Sequence, residues 1–231
     1  MRKKIKIFKS VPILFLSILF FAGCESSIEN QNLRASAVSV NGDDIVFRVY
    51  PENSSGDIMT GSLVTVTNSE NEVLLLEFDN DSQCYISSFD GLESDIYNIK
   101  VISAAYKEAA CIQIPHLRLT KAPTIVSFSD SMGNSVLSGK SINSQSAVSC
   151  AWNSLGNGIV YQVNIKTVLS RIWTGSTSAC NIEIPKGTLT AGKTYYLYLT
   201  AQKICGDPYF SLPYYSFSSI TSSAVTFYVE E

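Results

Sequence analysis

The chain has few residues able to do bond-making chemistry, and their spacing argues against catalysis. His116 is the single histidine of 231 residues. A triad, a histidine metal cluster or a histidine general base needs partners arranged around it, and none stands near it in sequence. It reads as a surface or hinge residue. Asp43-Asp44 and Asp79-Asn80-Asp81 could supply oxygens to calcium, but they lack the alternating ligand spacing of a dedicated loop. Asp and Asn in such clusters usually serve turn geometry. Paired carboxylates for glycoside hydrolysis would have to share one cleft, whereas the acids here fall in hairpin turns. No Gly-rich phosphate loop occurs. Catalytic residues, metal and cofactor are therefore all expected to be none.

Cysteine offers more. Six occur: Cys24, Cys84, Cys111, Cys150, Cys180 and Cys205. No pair has C-x-x-C spacing, which with one histidine disfavours zinc. Cys24 is the distinctive one. Arg2, Lys3, Lys4, Lys6 and Lys9 precede a 12-residue stretch, Val11–Ala22, that is apolar apart from Ser17 and ends in Ala22-Gly23-Cys24. A basic head, a short apolar core and small residues at the cut describe a secretory signal peptide. The core is too short for a bilayer span of ~20 helical residues. The junction resembles the bacterial lipobox, with Phe21 standing where Leu is usual. That resemblance implies that Cys24 is diacylated, becomes residue one after cleavage and is acylated again on its amine. The expected location is the bacterial cell envelope, at the outer membrane or cell surface, held by acyl chains on Cys24. Several chains hold far better than one, since each buried CH2 adds about 0.8 kcal/mol.

Composition supports attachment by lipid rather than by charge. Removing the five leader charges leaves 12 basic against 20 acidic residues, a net −8. Such a surface repels phosphate backbones and anionic lipid, so nucleic acid is excluded as a partner. A 45% hydrophobic content is ample for packed cores.

The organisation predicted is a signal peptide over 1–23, the lipidated Cys and a polar tether over 24–33, and two domains over 34–119 and 120–231. Beyond the tether, short β-rich runs alternate with Gly, Asn, Asp and Ser clusters, the pattern of all-β sandwiches. Seven runs fall in the first half: 35–40, 45–50, 63–67, 73–78, 84–87, 97–103 and 110–114. Seven more fall in the second: 124–128, 147–152, 160–165, 170–174, 179–184, 195–202 and 224–229. The connector Thr120-Lys121-Ala122-Pro123 is too short for a free linker. Tyr195, Leu197, Leu199 and Ala201 alternate onto one strand face and predict burial against a second sheet.

Leu189, Gly192, Tyr195, Leu197, Leu199 and Ala201 match, offset by offset, the E–F corner and F strand of fibronectin type III domains, with Ala191 where Pro is frequent. Trp152 and Tyr161 resemble the core Trp of strand B and the Tyr opening strand C. The resemblance covers 123–231. It implies a tyrosine corner, in which the Tyr195 hydroxyl meets backbone while its ring packs in the core. It also places Cys150 and Cys180 facing inward on strands B and E, where a disulfide or two buried thiols would both fit. In the first half, Leu92, Tyr97, Ile99, Val101 and Ser103 repeat the corner spacing. Gly61–Val66 is similar to carboxypeptidase-regulatory-like or prealbumin-like sandwiches, and some Ig-like sandwich is expected there. Cys84 and Cys111 could bridge within it. The fold class expected is all-β, two tandem Ig-like β-sandwiches after a lipoprotein signal peptide.

Gly206–Ile220 reads as a long loop between strands F and G, against a usual two to five residues for a hairpin. It carries five aromatics and two prolines. Tyr and Phe give contact area at low rotamer cost and Pro stiffens a loop. Tyr209, Phe210, Tyr214, Tyr215 and Phe217 are thus the candidate ligand-binding residues. The alternative is that these rings cover the core or extend the strands into a longer hairpin. The function expected is a non-catalytic binding, adhesion or structural module for a protein or glycan. A carbohydrate-binding accessory lipoprotein beside a separate hydrolase is the alternative.

Overall fold

The computed structural model describes residues 32–90, 94–104, 109–209 and 212–231. The leader, Cys24, the tether up to residue 31, Leu92 and Phe210 lie outside the described residues. Sixteen strands are described: β1 (Asn32–Val40), β2 (Ile45–Glu52), β3 (Leu63–Thr67), β4 (Val73–Asp79), β5 (Cys84–Phe89), β6 (Ser94–Ile102), β7 (Ala110–Leu117), β8 (Ile125–Asp130), β9 (Ile142–Asn143), β10 (Val148–Trp152), β11 (Ile159–Lys166), β12 (Arg171–Thr177), β13 (Asn181–Ile184), β14 (Lys193–Gly206), β15 (Tyr214–Thr221) and β16 (Val225–Glu230). The fold is all-β, and every run expected from sequence falls on one of them.

In the first sandwich β1-β2-β5 face β3-β6-β7. Strand β4 serves both layers, pairing β3 through its first half and β5 through its last residues. Period-2 alternation drives this: β2 buries Ile45, Phe47 and Val49 and turns the residues between them outward. Their partners from the other layer include Val64, Tyr97, Ile99 and Ile114, and Phe47 meets Tyr97 edge to face at 5.0 Å.

In the second sandwich β13-β10-β8 face β12-β11-β14 with β16 and β9. Tyr195, Leu197, Leu199 and Ala201 are all within 1% of full burial. Trp152 lies 5.3 Å from Tyr161 in the same core. The corner is built as its spacing implies: the Thr190 N–H donates to the Tyr195 hydroxyl at 2.9 Å, and that hydroxyl donates to the Thr190 carbonyl at 3.3 Å. Tyr161 closes a similar local link, accepting the Leu155 N–H at 2.8 Å.

One segment departs from expectation. Tyr214–Thr221 is strand β15 rather than loop. Strand β14 runs for 14 residues. Its first half pairs β16 and its second half pairs β15, so the two form an arm that outruns the second core. β15 then pairs in parallel with β1, from Ala35 opposite Tyr214 to Val40 opposite Ser219. Hydrogen-bonded pairing therefore passes unbroken from one sandwich into the other.

The tyrosine corner sets a testable cost. Tyr195→Phe keeps the ring and removes the link to Thr190, and should lose about 1–2 kcal/mol. Tyr195→Ala should lose about 3–5 kcal/mol. Denaturant midpoints of the two variants report both values, and an unchanged midpoint for Tyr195→Ala would mean that the corner carries no stability.

Candidate functional site

The residues with chemical potential converge where β15 meets the first sandwich. The inward row of β15 is Tyr214, Ser216, Ser218 and Ile220. Ile220 belongs to the second core and Tyr214 packs against the first. Between them the two serines meet His116, which is 2% exposed near the end of β7. Nδ1 of His116 lies 2.8 Å from Ser216 Oγ, and Nε2 lies 3.0 Å from Ser39 Oγ on β1. Ser39 donates its hydroxyl to Ser218 Oγ at 3.0 Å, and Ser218 also accepts the Leu119 N–H at 2.8 Å. Because Ser39 spends its proton on Ser218, it accepts from His116. That makes Nε2–H the protonated nitrogen and leaves Nδ1 to accept from Ser216. The relay is complete with a neutral ring. Burial, and then the Arg118 charge, push the His116 pKa down to about 4.

A serine beside a histidine invites comparison with a nucleophile and its base. Here Ser216 and His116 are both buried, and no carboxylate orients the ring in the relay. The arrangement fastens the two sandwiches through buried side chains. Further bonds close its upper end: Asn41 N–H to Ser219 O at 2.7 Å, Thr221 N–H to Asn41 Oδ1 at 3.2 Å, and Arg118 to Gly42 O at 2.7 Å and Asp90 at 2.7 Å. Ser39, Ser216 and Ser218 carry no sequence motif. The signal available was the serine alternation itself, on a strand otherwise rich in aromatics.

An open groove of about 480 Å³ runs beside this seam, lined by Asp95, Ile96, Pro115, His116, Leu117, Lys203 and Cys205. Among the described residues, no three His, Cys, Asp or Glu side chains come together that could hold a metal ion. Asp79 is taken up in its own turn, with its carboxylate accepting from the Asp81 N–H and from Ser82. Hydrogen bonds to Ser82 hold its pKa below the usual value.

The structure separates the residues expected to bind ligand. Tyr214 points inward, which corrects its placement on a recognition loop. Tyr215 and Phe217 lie on the outward row of β15, with rings nearly parallel and 6.4 Å apart. Tyr209 is 91% exposed in the turn between β14 and β15. The outward row of β14 continues from Tyr215 and Phe217 through Ile204, Gln202 and Thr200 to Tyr198 and Tyr196. Tyr228 stands on adjacent β16. Next to them Thr174 donates to Asn164 at 2.9 Å, Asn164 donates to Gln162 at 3.2 Å, and the Lys166 ammonium sits 4.9 Å from the centre of the Tyr198 ring. Sequence reading passed over this face because Tyr196 and Tyr198 look like ordinary outward strand positions.

The cysteines decide two pairings that the sequence leaves open. Cys150 and Cys180 are free thiols, and so is Cys84, the partner considered for Cys111. Cys150 sits opposite Ile182 in the β10–β13 register, so Cys180 is a diagonal neighbour. Diagonal Cα atoms lie about 7–8 Å apart, beyond ordinary disulfide reach. Burial pushes the Cys150 thiol up to about 12, which makes it inert.

No family model matches the chain, and no curated protein does either. Among solved structures, a cytokine receptor complex aligns at 9% identity over 84% of this chain and 95% of its own, with a TM-score of 0.42. The chicken CNTN1 FN1–FN3 domains align at 13% identity over 85% and 64%, with a TM-score of 0.45. A biofilm-associated protein BSP domain aligns at 17% identity over 83% and 29%, with a TM-score of 0.28.

The relay has a pH signature. The folded pKa of His116 is depressed from 6.5 to about 4. Above pH 6.5 both states hold the ring neutral. As pH falls from 6.5 to 4 the unfolded chain gains the proton first, so stability should fall, by about 3 kcal/mol across the window. Unfolding free energies of wild type and His116→Gln at pH 7 and pH 4.5 test this. Their difference should shrink at the lower pH, and a constant difference would remove His116 from the acid response.

Proposed function

We propose that the chain is a non-catalytic, lipid-anchored protein of the bacterial cell envelope that works as a recognition module. The two sandwiches would move as one unit on the Cys24 anchor, and the outward face of β14 and β15 would meet the ligand. The observation carrying this reading is that face itself: Tyr196, Tyr198, Tyr215, Phe217 and Tyr228 beside the Gln162–Asn164–Thr174 relay. The rings are backed by strands, so little conformational entropy is lost when a partner covers them. Tyrosines with ordered amides and hydroxyls suit a polar ligand of low charge.

A second reading, a carbohydrate-binding accessory protein beside a separate hydrolase, is favoured by the composition of the same face. Its amides and hydroxyls match sugar hydroxyls, and its rings offer apolar surface to the sugar faces. Protein and glycan ligands are separated by the size and regularity of what binds.

The face can be tested without knowing the ligand. The mature chain carrying Cys24→Ser would be immobilised and exposed to envelope polysaccharide and to envelope protein in separate arms. A Tyr198→Ser, Tyr215→Ser, Phe217→Ser variant should keep most of its stability and lose at least tenfold in binding, because a few aromatic anchors usually carry an interface. Undiminished binding would move the site off this face.

A further inference from the structure

The hairpin joining β11 to β12 ends in two apolar residues that the fold does not use. Val168 is 82% exposed and Leu169 is 94% exposed, and neither packs against the second core. Central turn positions usually go to Gly, Asn, Asp or Pro, whose backbone preferences close the turn. Here the flanking residues close it. The Thr167 N–H donates to the Ser170 carbonyl at 2.8 Å. Thr167 Oγ1 accepts the Leu169 N–H at 3.3 Å and the Ser170 N–H at 3.2 Å. Two hydrocarbon side chains are thus held out in water on a bonded frame, where apolar surface gains by being covered.

Strand directions place this tip. β11 ends where β14 begins, with Lys166 opposite Tyr196. β10 starts opposite the ends of β8 and β13, Val148 lying across from Asp130 and Ile184. The crossover 185–192 joins that end of β13 to the start of β14. Met132, 70% exposed in the turn after β8, therefore shares this end with Val168 and Leu169. β14 leaves it to reach β15, so this end points away from the first sandwich. The tip is basic, although the leader-free chain is acidic. Lys166 and Arg171 flank the turn, and Lys186 and Lys193 stand at the same end, in the crossover and at the start of β14. Among the described residues, none of these four is ion-paired. Of the carboxylates nearby, Asp130 is taken up by its own turn, accepting the Met132 and Asn134 N–H groups at 3.0 and 2.9 Å. Glu230 and Glu231 lie across β14 from the hairpin, and Glu183 lies on the opposite sheet.

We infer that this end of the second sandwich docks on an anionic lipid bilayer, with Val168 and Leu169 entering the interface and Lys166 and Arg171 meeting lipid phosphates. A bilayer accepts apolar side chains and supplies anions in one surface, which an acidic polymer does not. Two side chains also offer far less than the about 800 Å² per partner of a stable protein interface. A flat lipid surface can meet Met132 and the hairpin tip together. This contact does not depend on acyl chains at Cys24, so the unacylated chain can test it.

The test uses the mature chain carrying Cys24→Ser, with vesicles of phosphatidylcholine alone and of phosphatidylcholine with an equal part of phosphatidylglycerol. The chain should bind the anionic vesicles at least tenfold better than the neutral ones, and less as salt is raised. Val168→Ser, Leu169→Ser should lower that binding at least tenfold and leave the thermal midpoint unchanged. In a Leu169→Trp chain, brominated acyl chains should quench the emission added by the new indole at least twofold. A folded chain that ignores anionic vesicles, a double variant that binds them undiminished, or a bound Leu169→Trp chain that is not quenched overturns the inference. Binding to soluble polyglutamate that equals vesicle binding and survives the double substitution would assign the basic flank to an acidic polymer and overturn the lipid contact.

Discussion

The parallel pairing of β15 with β1 is the constraint on which the rest of the molecule depends. Two sandwiches joined by a short connector would ordinarily move against each other. Here a strand from the second completes the edge of the first, and its inward row serves both cores in turn. Tyr214 fills the first, Ile220 the second, and Ser216 and Ser218 lie between. An apolar row throughout would have merged the cores. The serines instead face a buried imidazole, and each hydroxyl of the relay finds a partner, so the seam is polar and satisfied. A half-satisfied network at such a site would cost more than an apolar one.

The one histidine of the chain is a neutral spacer between two serines, with its pKa pushed down to about 4 by burial. The same strand turns Tyr215 and Phe217 outward onto a face shared with Tyr196 and Tyr198. The residues of one strand thus divide by parity between the buried seam and an exposed aromatic face.

Much of this was legible in the sequence, and the failures have physical causes. Strands β1–β8, β10–β14 and β16 announced themselves because their inward rows are apolar, and Tyr195 was legible because the corner sets its spacing to Leu189 and Gly192. β15 was read as a loop because its inward row holds serine where a core-facing strand would hold Val or Leu. Its true partners, Ser39 and His116, lie about 180 and 100 residues away. No local period can report a buried polar contact over that distance. Cys150 and Cys180 were placed on the correct neighbouring strands, but the two-residue offset that keeps them apart is a matter of register.

Amide hydrogen exchange along β15 in the intact mature chain tests the central claim most directly. Both edges of the strand are paired, one to β14 and one to β1. The amides of Ser216, Phe217, Ser218 and Ser219 should therefore be protected to the level of the core amides of Leu197 and Leu199. Exchange of these four within seconds, while Leu197 and Leu199 stay protected, would show that the arm is not seated on the first sandwich and would contradict the account.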